Sequence, residues 1–372
     1  SQDLSLPVAD RAMLHADNAY DLPAVRIESH RLKTNTQSAT AFRGFGGPQG
    51  MLGIERVMDH IAHQMGKDPL EVRRVNFYAD AGDGPRGGDS SANTIGGPAG
   101  GDTPGPAKLG WRDRRKAKAA GATPAVTKTP AAQTTPYGMA VEDFVLNQIV
   151  DDLAESSQYA ARRKAIADFN LRSPILKRGI ALSPVKFGIS FTLTHLNQAG
   201  ALVHVYTDGS VHMNHGGTEM GQGLFLKVAQ VAADRFGIPT ERVKITATDT
   251  AKVPNTSATA ASSGTDLNGM AVKDACDQIR DRIATCLADL HQGQRADVWF
   301  EDGHVQVAGQ RLTFAEAAKT AYENRVSLSA TGFYKTPKVE WDRVAGKGRP
   351  FLYFAYGAAV TEVVIDTLTG EN

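Results

Sequence analysis

Cysteine is scarce in this chain, with two in 372 residues. Cys276 and Cys286 stand ten apart on what reads as one helix, which suits neither a disulfide framework nor a cysteine zinc site. They read as two reduced thiols. Long hydrophobic runs are missing too, since no segment approaches the roughly 18 apolar residues of a membrane helix. The first residues, Ser1 to Ser5, carry neither the basic region nor the apolar core of a signal peptide, and the expectation is a cytoplasmic protein. Excess charge is also absent. Lys plus Arg number 41 against 40 Asp plus Glu, a net charge of +1, so no polyelectrolyte attraction to nucleic acid or to an anionic membrane is expected. The ten His do not cluster with Cys at zinc spacing, and His60 with His63 reads as a surface pair. Neither a phosphate-binding P-loop nor a dinucleotide fingerprint occurs, and no repeat of fixed period is visible.

What remains is a globular composition, 41% hydrophobic and 22% charged, long enough for two or three domains with cores of their own. Composition divides the chain into residues 1–81, 82–134 and 135–372. In the middle part Gly and Pro make up roughly a third of the residues and large aliphatics nearly vanish, so burial cannot offset ordering entropy. It is expected to be a flexible insertion. Its basic knot of Arg112, Arg114, Arg115, Lys116 and Lys118 beside Trp111 reads as a solvated charge run.

Periodicity gives the elements on either side. Val8 to Tyr20 carries apolar residues at helical or irregular spacing around Arg11, and Val25, Ile27 and Leu32 suggest a strand over Leu22 to Lys33. Leu52, Ile54, Val57, Met58, Ile61 and Met65 mark an amphipathic helix from Met51 to Met65. Asp68-Pro69 starts another helix, with Leu70, Val72 and Val75 inward and Arg73 and Arg74 solvated. From Tyr137 a long helical stretch runs past Phe169, followed by a strand over Arg178 to Thr194. Asp208-Gly209 turns a hairpin of Ala201 to Tyr206 and Val211 to Asn214. Helices are expected at Leu224 to Phe236, from Thr265 to about Leu290 and at Phe314 to Glu323. Strands are expected at Val243 to Asp249 and Phe351 to Asp366, with a short hairpin around Asp302-Gly303. Strands and helices mix without regular alternation, so the class is α+β.

Three loops share one design. Arg43 to Gln49, Gly216 to Gly223 and Ala258 to Gly264 are rich in Gly or in Ala and Ser, and each enters a helix at its N-terminus. The first lies in Thr40 to Gln49, where three glycines permit positive φ and close approach, and Pro48 suits a first helical turn. Three such loops imply a large anionic ligand held by backbone amides and helix dipoles. Glu219 and Gln222 can also cap the helix that follows them.

The same motifs carry a resemblance. Thr-Ala-Phe-Arg-Gly-Phe-Gly-Gly-Pro-Gln at Thr40 to Gln49, Lys-Phe-Gly-Ile-Ser-Phe-Thr at Lys186 to Thr192, Gly-Gly-Thr-Glu-Met-Gly-Gln-Gly at Gly216 to Gly223 and Thr-Ala-Ala-Ser at Thr259 to Ser262 resemble, in order and interval, the molybdenum-cofactor portion of xanthine dehydrogenases. The resemblance covers nearly all of the chain outside the insertion. It implies molybdopterin, a molybdenum cofactor with a terminal sulfido ligand, held without side-chain metal ligands. By motif position, the backbones of Arg43 and Ala261 would lie against the ligands of the metal. Met220, Gly221, Gln222, Ser262 and Ser263 would hold the pterin and its phosphate. Phe45 and Phe191 would clamp a flat heterocycle, one face-on and one edge-on, and Thr192 with the Ala260–Ala261 backbone would contact it. Arg11 stands where these enzymes place the Arg that pairs with a purine carbonyl, where a permanent charge stabilises developing negative charge.

By the same resemblance the reaction would be oxidation of hypoxanthine and xanthine to urate with water-derived oxygen. Electrons would pass through 2Fe-2S clusters and FAD to NAD. The general-base Glu and a second substrate-binding Glu of that family fall outside this chain, as do the cluster and flavin segments. Both ends therefore read as cut, and the chain as part of a larger subunit, inactive alone, that joins an iron–sulfur and FAD subunit in an oligomer of heterodimers. Two alternatives stay open. One is an aldehyde oxidase-like enzyme, although those generally lack an Arg at the position of Arg11; the other is a non-catalytic module binding a phosphorylated ligand.

Overall fold

A long two-stranded ribbon pairs a strand from the middle of the chain with its last strand. The computed structural model describes residues 4–37, 40–79, 133–246, 248–249, 251–252 and 256–372. The expected insertion at 82–134 lies outside them except for its last two residues. Gln133 exchanges side-chain hydrogen bonds with both backbone groups of Ala79, and Thr134 bridges to Ala140.

The N-terminal half packs α1 (Ser5–Met13), α2 (Gly47–Met65), α3 (Pro69–Asn76), α4 (Leu146–Ser156) and α5 (Tyr159–Arg172) around β1 (Leu176–Ile189). β1 pairs antiparallel along its whole length with β11 (Tyr353–Asp366). The other half is a four-stranded sheet in the order β4 (Val243–Ile245), β3 (Val211–His215), β2 (Gln198–Val205), β8 (Ser329–Lys335). Against it lie α6 (Leu224–Phe236), α7 (Gly264–Leu290) and α8 (Phe314–Glu323), burying Val203, Met213, Val228, Ala275 and Ile279 in one core. A three-stranded sheet, β5 (Trp299–Glu301), β6 (His304–Val307) and β7 (Gln310–Thr313), and the ribbon of β9 (Glu340–Asp342) and β10 (Lys347–Arg349) complete the mixed α+β fold. None of the described helices is long and apolar enough to cross a membrane.

Local chemistry explains the elements that periodicity finds. Asp68 caps α3 by accepting from the Leu70 N–H, and Thr313 with Glu316 forms a reciprocal capping box on α8. Gly209, at φ 77°, turns the β2–β3 hairpin. Other expectations are corrected. Leu22 to Lys33 forms no strand, because Val25 and Leu32 face solvent and no described strand offers its edge to this stretch. The helical stretch after Tyr137 is two helices, broken at Gln158 by its left-handed φ of 54°. Val243 to Asp249 is strand only as far as Ile245.

The α3 assignment errs most instructively. Val75 is exposed, whereas Arg73, expected in solvent, is 1% exposed. Its guanidinium reaches α2, with Nε 2.6 Å from Glu55 and Nη2 2.7 Å from Asp59. The Tyr20 hydroxyl and the Asn18 amide also donate to Glu55. Burial opposes the charge on Arg73, but Glu55 and Asp59 outweigh it and raise its pKa.

One strand edge needs a different device. β1 has a single partner strand among the described residues, and its other edge is buried against α1 and the turn after it. Buried peptide groups must find partners, and here side chains supply them. Asn18 donates to the Pro184 carbonyl at 2.9 Å and accepts from the Lys186 N–H at 3.0 Å. His15 Nε2 accepts from the Gly188 N–H at 2.9 Å, and Arg11 donates to the carbonyls of Gly188 and Ser190. Three alternate residues of the strand, and Ser190 just past its end, are thus held by three side chains acting as a surrogate strand. Beside them the ammonium of Lys186 pairs with Asp17 at 3.0 Å, both about 1% exposed.

Two outcomes are expected of the full-length protein. Arg73→Ala leaves Glu55 half-sequestered without its cation and should cost about 3 kcal/mol in urea unfolding. His15, fully buried and neutral, has its pKa held well below 6.5 by desolvation and by Arg11. The unfolded chain therefore binds the proton first, so this contribution is complete above pH 6.5 and is lost as pH falls below it. Unfolding should depend more steeply on pH between 7 and 5 in the native protein than in His15→Gln.

Candidate cofactor and substrate site

The Thr40 to Gln49 turn is built on three consecutive residues of positive φ, Gly44 at 94°, Phe45 at 53° and Gly46 at 102°. What approaches Gly46, and Gly50 one turn further into α2, is the protein's own first helix, while Gly44 meets Pro48 and Gly47 the Phe187 ring. A Cβ on Gly46 would stand 2.0 Å from the Val8 carbonyl oxygen, and one on Gly50 2.1 Å from that of Ala12. The contact locks α1 to the N-terminus of α2 and so couples Arg11 to Phe45. Phe42 and Arg43 are exposed, while Phe45 is buried.

Phe45 meets Phe191 edge-to-face, the ring centroids 6.1 Å apart and the planes at 80°. Phe191 follows directly on the ladder of β1, after Ser190 at a φ of 151°. Both backbone groups of Phe191 are fixed by one side chain. Asn197 Oδ1 accepts from the Phe191 N–H at 2.8 Å and its Nδ2 donates to the Phe191 carbonyl at 2.9 Å. Thr192 is 2% exposed, and its buried hydroxyl has no partner. Arg11 is fully buried, its guanidinium over the rings of Phe187 and Phe351 at 4.7 and 5.2 Å. It therefore meets this site through Ser190, two residues from Thr192. Its Nε is buried without a partner. Burial pulls its pKa down to about 9, still well above neutrality, so the charge is retained.

The other two loops meet each other. The Thr218 N–H donates to Thr259 Oγ1 at 2.8 Å, and Gly216 lies so close to Thr256 that a Cβ would stand 1.6 Å from its hydroxyl. In the Gly216 to Gly223 loop the amides face inward upon the protein. Glu219 accepts from the N–H groups of Gly221, Gly223 and Phe225 at 2.9, 3.0 and 3.1 Å, bonds that lower its pKa. Gln222 accepts from Met220 and donates to the Thr218 carbonyl. Glu219 thus caps the start of α6, whereas Gln222, expected to do the same, bonds only within the loop; Met220 and Gly221 are exposed.

The start of α7 differs. Ser263 is its N-cap, yet the hydroxyl turns back to the Ala260 carbonyl at 3.2 Å and no side chain caps the helix. Ala261 and Ser262, neither of them Gly, take φ values of 57° and 58°. Phe45, Ser190, Ala261 and Ser262 therefore gather four strained residues in the segments expected to be functional, the kind of site where backbone strain is retained for use. Ala261 and Phe191 share one core, with Ala260 packed against it; Ala261 and Ser263 are buried and Ser262 is exposed.

Beside these loops His215 Nδ1 accepts from the Gly217 N–H at 3.0 Å, while its Nε2 is buried without a partner. Desolvation pushes its pKa down to about 4. No group of three or more His, Cys, Asp or Glu among the described residues could hold a metal ion. A surface depression of about 670 Å³ lined by Asp281, Cys286 and Arg295 among others lies at the opposite end of α7, away from all three loops.

The structure thus joins Phe45 to Phe191 and the 216–223 loop to the 256–263 loop, and it brings Arg11 in through Ser190 with its charge turned to the backbone. Sequence reasoning missed Asn197 and His15. The i,i+4 spacing of His15 from Arg11 is a visible helical signal, whereas nothing local singles out Asn197.

Comparison with known proteins bears on the family and the fold. Two models described as molybdopterin cofactor-binding domains match residues 1–77 and 152–372. A xanthine dehydrogenase/oxidase of Gallus gallus is 43% identical over 372 residues, and a xanthine dehydrogenase of Oryza sativa subsp. japonica 42% identical over 371; each alignment takes in all of this chain and 22% of the relative. The chain thus spans about a fifth of the length of these relatives. Among solved structures, quinoline 2-oxidoreductase from Pseudomonas putida 86 superposes with a TM-score of 0.72 at 23% identity, covering 98% of this chain and 40% of that one. CO dehydrogenase from Oligotropha carboxidovorans gives 0.61 at 17%, covering 87% and 35%. Such low identities speak for the fold alone. The chain belongs to the xanthine dehydrogenase family and carries its molybdopterin cofactor-binding domains.

Proposed function

We propose that the complete protein hydroxylates purines, taking hypoxanthine and xanthine to urate with oxygen derived from water. The observation that carries the reading is the orthogonal pair of Phe45 and Phe191 beside the partnerless hydroxyl of Thr192. Two rings at right angles select a flat heterocycle, and a buried hydroxyl lacking a partner gains one when a polar ligand edge arrives.

The residues present fit molybdopterin. The uncapped start of α7 offers free amides to an anion. Ser262 and Ser263, with Met220, Gly221 and Gln222, would hold the pterin and its phosphate, and the backbones of Arg43 and Ala261 would face the metal's ligands. When bound, the cofactor supplies the oxygen transfer to carbon and accepts two electrons. The chain's own residues do the rest. Phe45 and Phe191 orient the purine and exclude water, while Thr192 and the Ala260–Ala261 backbone fix its edge. The charged Arg11 stabilises negative charge growing on a ring carbonyl, and the proton-accepting Glu comes from another segment. Residues 1–81 and 135–372 would be two parts of the cofactor-binding region, separated by the insertion at 82–134. Electrons would leave through 2Fe-2S clusters and FAD to NAD, carried by an iron–sulfur and FAD partner within a cytoplasmic oligomer of heterodimers.

A second reading rests on Arg11 itself. Its terminal nitrogens already serve Gly188 and Ser190, which suits a structural cation in an aldehyde oxidase-like enzyme. The capping of α6 by Glu219 leaves a bare phospholigand module with fewer free amides.

Purified full-length protein should contain molybdenum and turn over xanthine faster than aldehydes. Arg11→Ala should keep its molybdenum and lose about 100-fold in kcat/KM for xanthine, with a smaller loss for an aldehyde. Unchanged xanthine turnover in that variant would sink the purine role of Arg11, and equal losses on both substrates would leave it a structural cation.

A further inference from the structure

We propose that His15 is a positioning residue of the substrate site, fixing both the orientation of Arg11 and the course of the strand end that delivers Phe191 and Thr192. The functional part of this inference rests on the purine reading of Arg11; the grip on the strand does not.

The bonds of the imidazole define its state. Nε2 accepts the Gly188 N–H at 2.9 Å and must be bare, so Nδ1 carries the proton and donates it to the Arg11 carbonyl at 2.8 Å. Protonation of Nε2 would abolish the first bond and place a cation beside Arg11, so the ring works only as the neutral Nδ1–H form. His15 and Arg11 are four residues apart, one turn along the same face.

Together they seize one residue from both sides. The N–H of Gly188 goes to His15 and its carbonyl to Arg11, whose other arm takes the Ser190 carbonyl. The same two rings wall in both side chains. Phe187 and Phe351 lie 4.9 and 5.2 Å from the imidazole and 4.7 and 5.2 Å from the guanidinium carbon. The two groups thus share their walls, and His15 is bonded to the backbone of Arg11. Gly188 is required by the same packing, since a Cβ there would come 2.3 Å from the Phe351 ring. Ser190 then enters its strained conformation and hands the chain to Phe191 and Thr192. A shift at His15 is therefore passed along a few covalent and hydrogen bonds to the ring that faces Phe45, and misplacement by about 1 Å can cost on the order of 100-fold in rate.

Three variants of the full-length enzyme separate the roles. His15→Gln reaches Gly188 with an acceptor, His15→Asn reaches only the Arg11 carbonyl, and His15→Phe fills the space without either bond. In hydrogen–deuterium exchange the peptide covering residues 184–192 should exchange about tenfold faster in the Phe and Asn variants and near the native rate in Gln. The kcat/KM ratio of xanthine to aldehyde should fall at least tenfold in His15→Phe and be largely restored in His15→Gln, at unchanged molybdenum content. Native exchange in His15→Phe, or faster exchange with an unaltered substrate ratio, would overturn the proposal. If His15→Phe does not fold, the Gln and Asn pair decides, and impairment of Gln rather than Asn would overturn it. Should Arg11→Ala leave xanthine turnover intact, the purine reading falls by itself, while the exchange comparison still decides whether His15 holds the strand.

Discussion

A strand buried on the edge where it has no partner strand is the constraint on which the rest of this structure depends. Each unpaired peptide group of β1 would cost about 1–3 kcal/mol if left unbonded away from water. Asn18, His15 and Arg11 meet that demand at Pro184, Lys186, Gly188 and Ser190. The arrangement converts a liability into a fixture. Because the side chains come from α1 and the turn after it, the start of the chain is tied to a strand more than 160 residues later, and that strand in turn is tied to β11.

The candidate site is the downstream end of that fixture. β1 leaves the ladder at Ser190 and turns at once into Phe191 and Thr192, whose position is then secured by Asn197 from the far side. Gly46 and Gly50 press α2 onto α1, so Phe45 is registered against the same helix that carries Arg11. Aromatic contact across the gap is a result of these two anchors. The positive φ values at Phe45, Ser190, Ala261 and Ser262 persist because the surrounding bonds over-determine them. The three loops also divide their labour. Glu219 satisfies the first amides of α6, whereas those of α7 are left without a side-chain cap.

Much of this was legible where the signal is local. The existence of α2 and α8, the Asp208-Gly209 hairpin and the cap at Asp68 are properties of a few adjacent residues, and the four motifs carried the family; the apolar face expected of α2 was not found, since Leu52, Val57, Ile61 and Met65 are exposed. Glu219 as a cap was legible for the same reason. What escaped depends on partners distant in the chain. Arg73 looks like a solvated charge until Glu55 and Asp59 are placed opposite it. Leu22 to Lys33 has strand-like residues but no edge to join, and the break at Gln158 is a single backbone rotation with no Gly or Pro to announce it. The resemblance singled out Arg11, but its burial between Phe187 and Phe351 and its bonds to Gly188 and Ser190 were not readable from its neighbours.

The central claim is that the loops at Arg43 to Gln49, Gly216 to Gly223 and Ala258 to Gly264 surround a single molybdenum cofactor. Crystals of the full-length protein, measured on both sides of the molybdenum absorption edge, test it most directly. One anomalous peak per subunit, next to the backbones of Arg43 and Ala261 and within reach of the Phe45–Phe191 pair, is the predicted result. A peak remote from these loops, or another ligand lodged at the start of α7 in protein that contains molybdenum elsewhere, would contradict it.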